Sequence, residues 1–380
     1  MLFTGDYFIE IVLFLGALQS FILGMVLHFK KGKGHRIYLA YFLITIGLIL
    51  FGSLLQRSVA WSYGVIIDPL VLLLGPCLYF YVIGFSGKIT VSKLLKHSMF
   101  LILYIGILTW FAFTVINEHG WSFQLADFIK SNYSNHSILI ILAIGKVSHL
   151  LFYSALSIRA QKHHERQLLK FYSEIGELNL RWVKRLIIAF LALIAITFLS
   201  FTAQFLSKEW ITTFAGLNLA LLTVFVYYIA YHALNQPAIF SGAIKLSDNQ
   251  VPKPTEKYKA SKLDNSVSEV LKNEIVNLME SKKLYLESEL SIQHLANEVN
   301  QSVHIVSQVL NDVIGLNFYE FVNKYRVEEA KNLLKDRSYR HLNILAIGLM
   351  AGFNSKTSFN TTFKKYTGLT PSKYQKSTIG

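Results

Sequence analysis

The chain has 380 residues, 53% of them apolar, 14% aromatic and only 16% charged, with a formal net charge of +14. An ordinary soluble protein carries about 25% charged residues, so this composition excludes a chain that is water-exposed throughout, and the lone Cys77 excludes an intrachain disulfide. The positive balance calls for an anionic partner, either nucleic acid or an anionic lipid leaflet.

The apolar excess is confined to residues 1–235, whereas residues 241–380 have the make-up of a soluble domain. A bilayer core of about 30 Å needs about 20 apolar helical residues, because lipid satisfies no free backbone group. Seven stretches meet that length: 7–29, 37–55, 64–84, 97–116, 137–158, 186–206 and 210–231. The first starts with no basic residue before it and is longer than a signal-peptide core, so it is expected to be retained. Trp61, Trp121, Trp182 and Trp210 lie near the expected ends, where amphipathic rings favour the interface. Asp68–Pro69 and Gly75–Pro76 mark expected kinks in the third stretch, since proline interrupts the helix ladder.

The loops are asymmetric. Loops 30–36, 85–97 and 159–185 share one side and hold fourteen Lys and Arg residues, against Arg57, Lys130 and Lys208 on the other. The positive-inside rule then puts the fourteen-charge side in the cytoplasm, the N-terminus outside and everything after residue 232 inside. Ionisable residues within the spans are costly in hydrocarbon and often mark a ligand path. Asp68, Lys146 and His149 are the candidate signal-sensing residues, Lys146 and His149 sharing a helical face at a spacing of three. No HExxH, GxSxG or phosphate loop occurs, and His163–His164 is too short a cluster for a metal, so neither a catalytic residue nor a metal or other cofactor is expected. Segment 159–185 carries Leu168, Leu169, Ile175, Leu178 and Leu180 among seven basic residues, and attraction to anionic lipid is the reading favoured over packing against the C-terminal domain.

Residues 241–262 are polar, contain Pro252 and Pro254 and lack an apolar period, which predicts a flexible connector within a 236–262 linker. From Leu263 the pattern is helical, with Val267, Val270, Leu271, Ile275 and Leu278 in register. Ser291 is the expected N-cap of a short helix, Ser302 the N-cap of a second that runs through Ile314 to Gly315. A long amphipathic helix follows at 318–334, with Phe321, Val322, Tyr325, Ala330 and Leu333 inward. The scheme then repeats, with 342–351, a turn at Gly352-Phe353-Asn354 and a helix from Ser355 to Tyr366, ended by Gly368 and Pro371. Helix, short turn, helix is the helix-turn-helix pattern.

Two such units joined by a long helix resemble the AraC-type DNA-binding domain. The likeness is carried by SIQHLANEVNQSVHIVSQVLNDVIGLNFYEFVNKYRVEEAKNLL and by ILAIGLMAGFNSKTSFNTTFKKYTGLTPSKY, over about residues 284–375. NLRW at 179–182 and NQPAIF at 235–240, together with the apolar half, are similar to the membrane-bound bacterial members of that family. The resemblance implies an all-α fold: a seven-helix transmembrane bundle (1–235), the linker, and a cytoplasmic domain of two helix-turn-helix units (263–380). It implies that His304, Ser307 and Gln308 of the first recognition helix and Lys356, Thr357, Ser358, Asn360 and Thr361 of the second reach base edges, while Lys364, Lys365 and Lys373 hold phosphates. Gln and Asn pair with adenine and Lys with guanine in the major groove, so the residue types suit the task.

The two units differ in charge. Residues 284–315 contain no Lys or Arg but hold Glu287, Glu289, Glu298 and Asp312, while residues 341–380 hold Lys356, Lys364, Lys365, Lys373 and Lys376 and no acid. Phosphate neutralisation dominates nonspecific affinity, so the second unit is expected to anchor and the first to add base contacts or to brace the domain. The expected protein is a one-component regulator in the bacterial inner membrane, binding promoter DNA as a homodimer under a small-molecule or envelope signal, with RNA polymerase a further partner. Two alternatives stand beside it: a transporter or membrane enzyme with a DNA-binding appendage, and a passive membrane anchor.

Overall fold

The computed structural model describes residues 5–29, 34–58, 67–85, 89–119, 137–175, 181–203, 208–235 and 265–379. Nearly all of them are helical, and they fall into two compact units: Met1–Lys162 with Leu180–Leu246, and His163–Asn179 with Ser247–Gly380. The expected linker, together with Trp61 and Trp121, lies outside the described residues.

In the first unit the helices are α1 (Gly5–Phe29), α2 (Arg36–Ser58), α3 (Val71–Ile83), α4 (Val91–His119), α5 (Ser137–Phe171, whose residues from His163 on belong to the second unit), α6 (Arg181–Ala203) and α7 (Lys208–Asn235). Helix α1 packs on α2 and α7, and α6 packs on α7. Small residues permit this close approach. A Cβ built on Gly16 would lie 2.7 Å from the Thr223 side chain, and one on Gly24 2.7 Å from that of Ile44. The core formed there contains Leu13, Leu39, Phe42, Trp182 and Phe225. Large apolar side chains also face outward, among them Ile22 (56% exposed), Ile102 (66%), Trp110 (61%) and Ile141 (65%).

Five helical segments are long and apolar enough to cross a membrane: Ile9–Phe29, Arg36–Leu55, Val91–Glu118, Ser137–Phe171 and Arg181–Leu199. Asp68–Ile83 and Gly216–His232 are apolar but shorter, so the described residues give five such segments rather than the expected seven. In the third stretch Ile67 is helical, Asp68–Leu70 forms a 3-10 turn with Pro69 inside it, and α-helix resumes at Val71 with Pro76 inside, while residues 64–66 lie outside the described residues. Two local expectations also change. Trp182 is 1% exposed, stacked on His232 and set edge-on to Tyr81, so its ring serves the core rather than an interface. Arg36, counted among loop charges, is the first residue of α2 and only 2% exposed.

The second unit contains α8 (Asn265–Ser281), α9 (Ile292–Glu298), α10 (Val303–Gln308), α11 (Phe318–Lys335), α12 (Ile344–Met350), α13 (Lys356–Thr367) and α14 (Pro371–Ile379). Helix α10 continues as a π-turn, Val309–Ile314, which Gly315 ends at φ 77°. The serines do what their positions predict: Ser291, Ser302 and Ser355 each accept a hydrogen bond from the backbone N–H three residues on. Val267 and Val270 are 52% and 67% exposed, so α8 buries Leu271, Ile275 and Met279 and its apolar stripe is wider than the core it meets.

Helix α11 belongs to two cores. Its first half gives Phe318, Phe321 and Val322 to a cluster with Leu295, Val306 and Leu310; its second half gives Val327, Ala330 and Leu334 to a cluster with Phe353, Phe359 and Phe363. One helix thereby fixes the spacing of two helix-turn-helix units. Between them, Gly352 adopts φ 90°, and a Cβ there would lie 2.3 Å from the Tyr285 carbonyl oxygen, so only glycine fits that turn.

Candidate nucleic-acid interface

The second recognition helix, α13, is held from beneath by Phe359, Thr362 and Phe363, which are essentially fully buried. That burial turns Lys356, Thr357, Thr361 and Lys364 outward, with Asn360 half-buried beside them. Lys356, Lys364 and Lys373 are exposed and enter no ion pair among the described residues. Lys365 differs, because its Nζ lies 3.3 Å from Glu320 Oε1 on α11 and 5.7 Å from the centre of the Tyr366 ring. An exposed pair of this kind is weak, about 0–1 kcal/mol, so Lys365 remains available to a phosphate.

Ser358 is the member of the expected set that faces inward. It is 8% exposed, and its hydroxyl donates to Glu174 Oε2 at 2.5 Å. In this arrangement it is committed to a carboxylate from residues 163–179 and is not presented outward.

On the first recognition helix His304 is exposed, while Ser307 and Gln308 are half-buried. Asn311, one turn on, donates from Nδ2 to the Ser307 carbonyl oxygen at 2.6 Å and reaches its hydroxyl at 3.3 Å. This exposed amide lies beside the residues that the family pattern singles out. Two of the unit's four acids have local partners: Lys282 Nζ is 2.7 Å from Glu298 Oε2, and His294 Nδ1 is 3.0 Å from Glu287 Oε2. The hydrogen bond and charge of Lys282 hold the Glu298 carboxyl below its ordinary range.

Residues 171–175 pack within the second unit, against the expectation that their segment is drawn to anionic lipid. Phe171 packs against the core of the first helix-turn-helix rather than facing lipid, and Leu168 and Ile175 are buried. Arg326 in α11 is fully buried and donates to the carbonyl oxygens of Tyr285 and Glu287, each at 2.7 Å, and to Ser173. Burial pulls its guanidinium down to about 10, with the nearby Glu174 charge opposing that fall.

In the first unit, the three residues expected to sense a signal are brought near one another. Lys146 Nζ pairs with Asp68 Oδ1, and the Tyr104 hydroxyl donates to Asp68 Oδ2 at 2.5 Å. His149, one turn further along α5, stacks on Phe100 at 4.8 Å and lies 4.7 Å from the Tyr153 ring. Its Nδ1 is buried without a hydrogen-bond partner among the described residues. Tyr104 carries no motif and could be found only through the fold.

Residues 276–377 match the family model described as a helix-turn-helix domain. A probable transcription factor of Proteus vulgaris is 30% identical over 109 residues, which cover 29% of this chain and 86% of that one. An uncharacterised HTH-type transcriptional regulator of Staphylococcus aureus (strain COL) is 34% identical over 93 residues, 24% of this chain and 12% of the relative. The chain therefore spans about an eighth of the length of the staphylococcal relatives it matches. A solved structure of a protein of unknown function from Listeria innocua is 28% identical, with 28% of this chain and 96% of that one covered and a TM-score of 0.25. Through its C-terminal domain the chain belongs to the helix-turn-helix transcriptional regulators of the AraC type.

Proposed function

We propose that the chain is a membrane-embedded, one-component transcriptional regulator that binds promoter DNA through its two helix-turn-helix units under the control of its apolar half. The observation that carries this reading is the outward face of α13, where Lys356, Thr357, Thr361 and Lys364 are exposed in a stretch free of acids. Helix N-terminal residues read base edges and basic residues grip the backbone, and this face supplies both. His304, Gln308 and Asn311 extend the reading from the first unit. Ser358 joins them only when its bond to Glu174 opens.

The membrane half of the proposal rests on the outward apolar side chains of the first unit, which water would penalise and lipid accepts. Seven crossings, with the N-terminus outside and the DNA-binding domain in the cytoplasm of a bacterial cell, agree with the loop charges. Asp68, Lys146 and His149, joined by Tyr104, form the proposed signal site, since ionisable groups in a membrane interior are costly to keep. Binding as a homodimer would pair two domains on neighbouring half-sites, and tethering raises their effective concentration.

Chromatin immunoprecipitation of the full-length protein, with membrane fractionation of the same cells, tests the reading. Discrete promoter peaks from an intact membrane-bound chain, lost in Lys364→Ala/Lys365→Ala, are expected. An abundant membrane protein without peaks under varied growth conditions would overturn it and favour a transporter or membrane enzyme.

A further inference from the structure

The second unit contains a groove that is already filled. Residues 171–175 follow directly from α5, the helix that carries Lys146 and His149, and they lie against both helix-turn-helix units. Ser173 is the centre of the contact and is fully buried. Its N–H and its hydroxyl both donate to the Leu290 carbonyl oxygen, at 3.3 and 2.5 Å, and Tyr172 forms an antiparallel bridge with Ser291, the N-cap of α9. The Ser173 carbonyl oxygen in turn accepts from Asn323 Nδ2 at 2.9 Å and from Arg326 Nη1 at 3.3 Å, while Arg326 Nη2 reaches its hydroxyl at 3.1 Å. Glu174 completes the set by accepting from Ser358 in the second recognition helix.

We propose that residues 171–175 are an internal ligand of the DNA-binding domain, docked against Arg326, Asn323 and Ser358, and that this docked segment restrains DNA reading until the membrane half withdraws it. The proposal rests on the regulator reading given above. Three features of the groove argue that it is built for this occupant. Arg326 is a buried guanidinium whose donors are shared between the domain's own carbonyls and Ser173, and burying a cation is tolerable only with such partners. Asn323 is likewise buried and spends its Nδ2 on the Ser173 and Tyr319 carbonyl oxygens. Phe171 packs against the core of the first helix-turn-helix.

The sign follows from where Glu174 lies. Ser358 is the third residue of α13, so the carboxylate sits at the N-terminal turn of the recognition helix. That end favours anions and is where DNA is gripped and read. A docked carboxylate thus competes with DNA for the same polarity and keeps Ser358 occupied. Helix α5 runs from Ser137 to Phe171, so Ser173 and Glu174 directly follow the helix that carries Lys146 and His149.

The test uses the full-length protein in lipid nanodiscs. Hydrogen exchange should show the Ser173 amide protected, at a level independent of protein concentration. Ser173→Leu, which has no room at a fully buried position and leaves the charge unchanged, should abolish that protection. It should also tighten binding to operator DNA identified by immunoprecipitation by roughly two- to fivefold. Glu174→Gln should tighten binding by a similar factor while the Ser173 amide stays protected. Exchange of Ser173 in the wild-type protein at the rate of an open loop would overturn docking without bearing on DNA binding. Protection that grows with protein concentration would transfer the contact to a second copy and overturn the intrachain form. Unchanged or weaker DNA binding by both variants would overturn the restraint. A protected Ser173 in a protein that binds no DNA at all would instead count against the regulator reading while leaving the docking intact.

Discussion

The two helix-turn-helix units share a backbone plan and differ in what their surfaces can do. Both place a serine-capped recognition helix after a short turn, and both are anchored to α11. The first is acidic and pairs Glu298 and Glu287 with nearby Lys282 and His294, whereas the second is free of acids and leaves its lysines exposed. Cores decide where a recognition helix stands, and surface charge decides how hard it holds DNA. Under the proposed function the phosphate grip therefore falls to the second unit, with base reading shared by both.

The largest test of that division is to remove the support under α13 alone. Phe359 is fully buried, with Phe353 and Phe363 at 5.0 and 5.6 Å. Phe359→Ala is expected to cost about 3–5 kcal/mol of stability, read from chemical denaturation, and to abolish DNA binding. Equal DNA affinity after this loss would mean that the second unit is not the anchor.

A smaller effect is expected from Lys364→Ala/Lys365→Ala, which spares the core. The slope of log K against log salt should fall by roughly 1.8, since each phosphate contact contributes about 0.9. An unchanged slope would move the grip elsewhere. Gln308→Ala in the first unit should do the reverse, costing about 1 kcal/mol against the preferred sequence and leaving the salt slope alone. If all sequences weakened together, the first unit would be a brace rather than a reader.

Two pH effects sharpen the comparison further. Burial, with the Glu329 charge adding to it, pushes the Tyr285 phenol up to about 12. A folded value raised above the unfolded one means that stability is full below about pH 10 and is lost as pH rises through about 12. Tyr285→Phe should flatten that alkaline loss by about 1 kcal/mol, allowing for partial solvation, as measured by urea midpoints across the range. A loss of equal size in the variant would assign it to Tyr366, which is also raised to about 12 by burial. The smallest effect concerns Glu298, whose carboxyl is lowered by Lys282. Its contribution is present above the ordinary carboxylate value and fades as pH falls through the lowered one, so Glu298→Gln should remove a slight acid dependence and leave DNA binding by α13 untouched.

Much of the second unit was legible beforehand because the signals are local. A serine three residues before the N–H it caps, or a glycine where φ must be positive, needs no knowledge of distant chain, and Ser291, Ser302, Ser355, Gly315 and Gly368 all act as their positions predict. The wide apolar stripe of α8 misled because periodicity reports a face without saying how much of it finds a partner; Val267 and Val270 stay exposed. Recognition-helix positions were readable, but not which would be engaged within the domain, as Ser358 is by Glu174 and Lys365 by Glu320.

The sequence by itself determined an apolar half, a duplicated helix-turn-helix half and the charge contrast between the two units, because composition, periodicity and capping act over a few residues. Tertiary structure alone decided that Asp68 meets Lys146 and Tyr104, that Arg326 is buried against Ser173, and that Glu174 reaches Ser358 across 184 residues of chain. Such pairings depend on which helices share a core, and no short-range pattern records a partner that the fold brings close only after the cores have formed.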